Sequence, residues 1–249
     1  MKKNTMIIFC LMLMAKVLSA QQEAQYTQFM FSKIALNPAV AGSTETGCLS
    51  VIHRSQWVGL EGAPTSQMIN FQKPFFARKV GFGMSLSHDA IGPTKVWTYR
   101  MMYSYRIALG AHHLAIGLQG GLKRYALRLS DEVRTHEGDE AIAMGSHAKI
   151  LPNIGMGLYL QSDNYFLGLS MPNVLKGDLT FYDSGLQNSD ISREEQYFYL
   201  MGGLVLDLAY HIKFKPAVLV KYNAHAPVVA DLNASIIFLE KLWIGATYR

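Results

Sequence analysis

At 249 residues the chain is long enough for one large domain or two small ones. Charged residues make up 16% of it, against about 25% in an average soluble protein, while the 50% hydrophobic content is ordinary, so the chain is short of charge rather than rich in apolar residues. The net charge of +5 comes from Lys and Arg scattered singly, with no clustered basic stripe, which sets aside a nucleic-acid-binding role.

The chain opens on Lys2 and Lys3, an apolar stretch from Met6 to Val17, and Leu18-Ser19-Ala20. A basic start, a short apolar middle and a small residue at the cut describe a secretory signal peptide over residues 1–20, with cleavage expected after Ala20. The stretch is short for a membrane-spanning helix, and no later segment approaches the ~18 apolar residues that such a helix needs. Cys10 lies inside it, so Cys48 is the one cysteine of the mature chain. That excludes an internal disulfide and the small stapled secreted folds. Residues 21–46 form an N-terminal segment, and strands occupy 47–249.

The first strand, Cys48 to Arg54, leads into "SQWVGLEGAPT", where Trp57 stands among Gly59, Glu61, Gly62 and Pro64. A plain turn needs only Gly, Pro, Asn or Asp. A large aromatic there has to pack on something or meet a partner, so these five residues form a candidate partner-contact loop. One reading is that Trp57 folds the loop over the mouth of the fold, leaving Glu61 exposed; the other, favoured slightly, is a purely structural plug or an interface-belt tryptophan. In "VGFGMSLSH", Val80, Phe82, Met84 and Leu86 share one face and Gly81, Gly83, Ser85 and Ser87 the other. "VWTYRMMYSYRIAL" puts Trp97, Tyr99, Met101, Tyr103 and Tyr105 opposite Arg100, Ser104 and Arg106. "LAIGLQGGL" sets Leu114, Ile116, Leu118 and Leu122 against Ala115, Gly117, Gln119 and Gly121; "IGMGLYLQ" and "VADLNASIIF" repeat the pattern. Period-two alternation means sheet with one apolar side.

A half-buried soluble sandwich also alternates. Here, however, the second face is Gly, Ser, Asn and Gln rather than Lys and Glu, and the segments approach the ~9–11 residues with which a tilted strand crosses a bilayer. The connectors sort as well: long "SQWVGLEGAPT", short "PFFARK", medium "DAIGPTK", short "GAHH", then two very long ones from Ser130 and Pro172, each followed by a short one, then medium "NAHAPV" and tight "EK". Long connectors at one end and short ones at the other are the habit of outer-membrane barrels. The reading is an all-β, transmembrane antiparallel barrel of about eleven strands. A charge facing lipid near the midplane costs about 2–4 kcal/mol, so Arg100, Arg106 and Gln119 are assigned to the lumen and Leu118 to the acyl chains. Tyr and Trp near strand ends are assigned to interface girdles.

Signs of chemistry are few. The histidines of the mature chain lack a metal-ligand spacing such as H-E-x-x-H, and no metal or cofactor is expected. G-x-G at Gly81–Gly83 and Gly155–Gly157 lies inside strands with no helix following, which fails as a nucleotide loop. There is no G-x-S-x-G. Ser87 and His88 are adjacent and so face opposite ways on a strand. The acidic loop Asp131, Glu132, Glu137, Asp139 and Glu140 lacks EF-hand spacing and reads as a solvated face. No enzymatic activity is expected.

Several stretches resemble one family. "QYTQFMFSKIALNPAVAGS" is similar to the N-terminal signature of the PorP/SprF family of type IX secretion and gliding proteins, through Gln25, Tyr26, Gln28, Phe29, Met30, Asn37, Pro38, Ala39, Ala41 and Gly42. Arg54, Gln56, Trp57, Val58, Gly59, Gly62, Ala63 and Pro64 resemble a second signature, and Gly81, Gly83, Asp89, Ile91, Gly92 and Pro93 a third. "YSYRI", "LAIGLQGGL" and "NIGMGLYLQSDNYFLGLSMPNVL" follow in order, so the similarity runs from Gln25 to Arg249. The resemblance implies an outer-membrane barrel, not an enzyme, that helps type IX cargo or adhesins reach the cell surface or stay there, in gliding-motility type systems. Its implied partners are outer-membrane lipid, secreted cargo and other secretion components. It also implies a longer chain: relatives continue past "LWIGATYR" for about three strands, to an even count of about fourteen. By that comparison the barrel domain 47–249 is incomplete at its C-terminus, and the chain alone is expected to misassemble. Two other classes stay open: an outer-membrane diffusion or uptake channel for small solutes, and a secreted β-sandwich.

Overall fold

The computed structural model describes residues 29–129, 145–177, 194–239 and 241–249. The signal peptide, the start of the N-terminal segment through Gln28, the acidic loop Asp131–Glu140 and most of the connector that follows Pro172 lie outside the described residues. The described chain is nearly all strand: β1 (Cys48–Ser55), β2 (Thr65–Phe75), β3 (Val80–Ile91), β4 (Thr94–Leu109), β5 (His112–Leu129), β6 (Gly145–Gln161), β7 (Tyr165–Met171), β8 (Phe198–Leu204), β9 (Leu206–Ala209), β10 (Ile212–Asn223), β11 (Ala226–Phe238) and β12 (Leu242–Tyr248). All pair antiparallel in one sheet of order β1 to β8, then β10, β11 and β12, with β9 beside β10.

β8 and β9 are two halves of one stave. Both pair with β10, and the chain breaks only at Val205, whose N–H leaves the ladder to donate to the Asn164 carbonyl. The twelve strands therefore make eleven staves, in agreement with the sequence count. No helix among the described residues is long and apolar enough to cross a membrane. One end of the sheet carries connectors 56–64, 92–93, 130–144, 172–197 and 224–225; the other carries 76–79, 110–111, 162–164, 210–211 and 239–241. Two expected medium connectors contract to pairs, Gly92-Pro93 and Ala224-His225, because the ladder continues through their flanks: Ile91 faces Thr94, and Asn223 faces Ala226. The length contrast between the two ends rests on the other three long connectors.

The polarity of the sheet is inverted. Leu49, Val51, Phe82, Met84, Tyr99, Met101, Tyr103, Leu158, Leu169, Leu200, Leu232 and Ile244 are exposed. Ser85, Ser87, Thr98, Ser104, Asn153, Ser170, Asp231, Asn233 and Ser235 are buried. A soluble sheet buries its apolar side; this one exposes it, which is the arrangement of a wall standing in lipid.

What fills the concave polar side is the N-terminal segment. It folds as a 3-10 turn at Phe29–Phe31, a short helix α1 (Lys33–Leu36) and a second 3-10 turn at Pro38–Val40. Phe29, Ile34, Leu36, Ala39, Val40 and Ala41 are buried in one cluster with Met102, Tyr159, Phe166, Tyr199, Met201 and Leu219 of the wall. The hydrophobic core is thus a plug and its socket, inside a polar-lined sheet.

Candidate functional site

The plug has its bends written into it. Pro38 sits at the start of the second 3-10 turn, where a missing N–H does no harm, and Asn37 caps that turn by accepting from the Ala39 N–H at 2.9 Å. The same side chain donates its amide to the Leu158 carbonyl of β6 at 2.9 Å. One Asn therefore shapes the plug and ties it to the wall.

The wall answers mainly through plug carbonyls. Arg100 Nη1 donates to Ala35 O at 2.8 Å, Ser104 Oγ to Ala41 O at 2.7 Å, Arg106 Nη2 to Ala41 O at 3.2 Å and Ser170 Oγ to Leu36 O at 2.7 Å. A turn-rich plug has few backbone partners of its own, and buried carbonyls without a donor are costly. The glycines of the same face supply clearance. A Cβ on Gly117 would lie 2.2 Å from Ala39 N, one on Gly157 2.1 Å from Asn37 Oδ1, and one on Gly81 2.0 Å from Ala41 O.

Lys33 is the one cation of α1. It donates to Tyr159 Oη at 3.0 Å and lies 4.1 Å from the centroid of the Phe166 ring. Burial first, and repulsion from Lys215 second, pull its ammonium down to about 8.

Towards the long-connector end lies a second polar network. Gln119 Nε2 donates to Asn153 Oδ1 at 2.9 Å and to Pro172 O at 2.8 Å. Asn153 donates to Asn173, whose amide reaches Glu194 Oε1 at 3.1 Å, and Glu194 is paired with Lys123. Lys123 and Glu194 are both buried. Both described roots of the 172–197 connector are therefore clamped inside the wall.

The residues singled out from sequence fall in two places. Arg100, Arg106 and Gln119 line the interior: the arginines on plug carbonyls, and Gln119, 4% exposed, in the second network. Its neighbour Leu118 is 58% exposed on the other face. Trp57, Gly59, Glu61, Gly62 and Pro64 form the β1–β2 connector, braced by Gln56 N–H to Pro64 O at 3.0 Å and by Gly92 N–H to Gly62 O at 2.9 Å. Trp57 is not buried by this loop. Its backbone is left-handed, at φ 49°, and it stands 69% exposed beside Val58 at 88%. Leu60 N–H donates back to Trp57 O at 3.0 Å, making a tight turn.

Sequence reasoning missed the plug, the clamp and the work of the wall glycines. Asn37-Pro38, a capping pair inside an apolar run, was the available signal. Among the described residues no group of three or more His, Cys, Asp or Glu could hold a metal ion.

A family model described as type IX secretion system membrane protein PorP/SprF matches residues 18–249. No curated protein and no solved structure matches the chain.

Proposed function

The chain belongs to the PorP/SprF family of type IX secretion system membrane proteins, and from that premise we propose that it is an outer-membrane partner barrel that helps deliver secreted cargo to the cell surface or anchor it there. Membership already associates it with the type IX machinery and with a membrane. The delivery or anchoring role, the outer membrane as its place after removal of residues 1–20, and the absence of an activity of its own are the proposal.

The observation that carries it is the filled interior. The plug occupies the concave face and is bonded to β4, β6 and β7, and Gln119, Asn153, Asn173, Lys123 and Glu194 form a continuous network above it. A diffusion channel needs a continuous wet path, and this packing supports a scaffold instead. The exposed tip Trp57-Val58-Gly59-Leu60 at the long-connector end offers apolar surface for a partner, since an exposed Trp is a frequent anchor in protein contacts.

The test replaces Trp57 and Leu60 by Ser in cells and measures surface-retained cargo together with the amount of barrel in the outer membrane. Loss of cargo at unchanged barrel level supports the proposal. Unchanged cargo removes the loop from it, and steady conductance of the native protein in a planar bilayer would favour the channel.

A further inference from the structure

The outer face of the wall is not wholly apolar, and its charges are of one sign. Alternation puts Lys73 of β2, Lys95 of β4 and Arg124 of β5 on the face that carries Ile69, Tyr99 and Leu122. The carboxylates of the described strands are Asp89, Asp207 and Asp231. All of them face inward: Asp89 in step with buried Ser87, Asp231 in step with buried Asn233, and Asp207 opposite Lys213, which is in step with buried Ala217 and Leu219. No carboxylate of a described strand therefore stands on the lipid-facing side.

Lys73 is alone near the short-turn end, its ammonium 5.4 Å from the centroid of the Phe75 ring. The other two cations are gathered at the long-connector end. In the register of β3, β4 and β5, His88 faces Trp97 and Trp97 faces Arg124, so imidazole, indole and guanidinium stand in one row. Lys95 is the next outward position of β4, opposite Ala126, which places it diagonal to Arg124 at about 7–8 Å between backbones. The indole is held between two rings: His88 with centroids 4.3 Å apart, and Tyr99 stacked at 6.3 Å with planes 14° apart. Lys95 and Arg124 are both exposed, and neither has an ion-pair or hydrogen-bond partner among the described residues.

A cation on a lipid-facing wall near the end of its strand lays its stem along apolar surface and carries its charge to headgroup level. There it attracts anionic headgroups, by about fivefold in affinity for each Lys or Arg. A guanidinium forks onto phosphate oxygens through two N–H groups, and an ammonium adds a compact charge. We infer that Lys95, Trp97 and Arg124 form a docking site for the phosphate headgroup of a membrane lipid, in the leaflet at the long-connector end. Its acyl chains lie along the exposed strip of Tyr99, Met101 and Leu122. A soluble anion would satisfy the two cations but gain nothing from that strip, so the occupant is a lipid. The inference rests on the membrane reading of the exposed apolar face and not on the role proposed for the Trp57 loop.

The test uses the full chain with Trp57→Phe and Trp243→Phe, which leaves Trp97 as the one tryptophan. The protein is reconstituted in phosphatidylcholine vesicles, and Trp97 fluorescence is followed as acyl-brominated phosphatidic acid or acyl-brominated phosphatidylcholine is added. Half-quenching should need about five- to thirtyfold less of the brominated phosphatidic acid, the range expected for one to two cations. Lys95→Gln with Arg124→Gln should bring the two lipids level and leave quenching by brominated phosphatidylcholine unchanged. Lys73→Gln should keep the preference. Equal quenching by the two lipids in the parent overturns the inference, whether the cations are then held by the acidic connector 130–144 or by water. A preference that survives the double substitution, or that Lys73→Gln removes, also overturns it, since charge in general would then be the cause. Loss of the preference to inorganic phosphate, but not to chloride of equal ionic strength, would replace the lipid by a free anion. Quenching by neither lipid would take this face out of the membrane, so that the membrane reading fails together with the inference.

Discussion

Gly117→Ala tests whether the plug is held by shape. A Cβ at this position would lie 2.2 Å from Ala39 N, 2.4 Å from Ala39 Cα and 2.5 Å from the Pro38 carbonyl carbon. All three are backbone atoms, so no side chain can swing clear, and the Pro38–Ala39 turn must retreat by more than an ångström to restore ordinary contact. That movement strains the Asn37 bond to Leu158 O and the Ser104 bond to Ala41 O, each under 3 Å. Overpacking of this kind costs about 1–3 kcal/mol, which multiplies the undocked population about 5- to 150-fold. Gly120→Ala is the control: it lies three residues away on the same strand, and its Cβ would meet nothing within 4 Å. The assay is tryptic cleavage after Lys33, the one basic residue between Phe29 and Gly47, in membranes at low protease, where cleavage follows the open population. Cleavage should accelerate for Gly117→Ala and stay at the wild-type rate for Gly120→Ala. Equal rates in the two variants would refute the shape argument.

Leu118→Arg places a charge on the exposed apolar face and should cost about 2–4 kcal/mol in folding titrations from urea into lipid, if Leu118 lies near the midplane; a neutral result would take that face out of the membrane. Glu194→Ala leaves Lys123 buried without its carboxylate and should cost about 3–5 kcal/mol in the same titration, along with faster proteolysis at the roots of the 172–197 connector; unchanged digestion would mean that the clamp is idle. Lys33 makes docking of the plug pH-dependent. Its docked pKa of about 8 lies below its free value of 10.5, so between those two values the undocked state holds more protons and docking tightens as pH rises. Tryptic protection measured on Lys33→Arg would confuse cleavage with charge, so the check is hydrogen exchange of the plug amides from pH 7.5 to 9.5, after correction for intrinsic rates, with Lys33→Met abolishing the trend.

The wall was legible in the sequence because its code is binary. Alternation such as Leu118 against Gln119 and Met84 against Ser85 survives any local irregularity, and it gave the staves and the count. The ends of strands were less so: "DAIGPTK" and "NAHAPV" read as connectors because Gly, Pro, Asn and His mark turns, yet cross-strand pairing carried the ladder to within two residues of the reversal. The plug was not legible, for a different reason. Its partners, Gly117, Gly157, Ser104 and Ser170, are small, and a small residue on a polar face records the need for space without saying what occupies it. Asn37 and Arg100 act on carbonyls, which every residue has, so nothing in the plug's own side chains announces its partners. The tight turn at Trp57 was not legible because one backbone hydrogen bond, from Leu60 N–H to its carbonyl, closes it, and the composition of the loop does not reveal that bond.

These two facts meet in the energetics. A sheet whose apolar side faces lipid has no hydrophobic core of its own among its wall side chains; what it has is Met102, Tyr159, Phe166, Tyr199, Met201 and Leu219 projecting inward, and they need an apolar counterpart. Phe29, Ile34, Leu36 and Val40 are that counterpart, delivered by a segment that enters before the first strand. Deleting the plug would therefore do more than open a path. It would leave Arg100, Ser104, Arg106 and Ser170 without the carbonyls they bond and strand six inward apolar side chains in water. The N-terminal segment is, in physical terms, the core of the fold, and that accounts for its pattern: apolar positions for the socket, alanines for the close approach to wall glycines, and one Asn-Pro pair to turn the chain inside a space that admits little else.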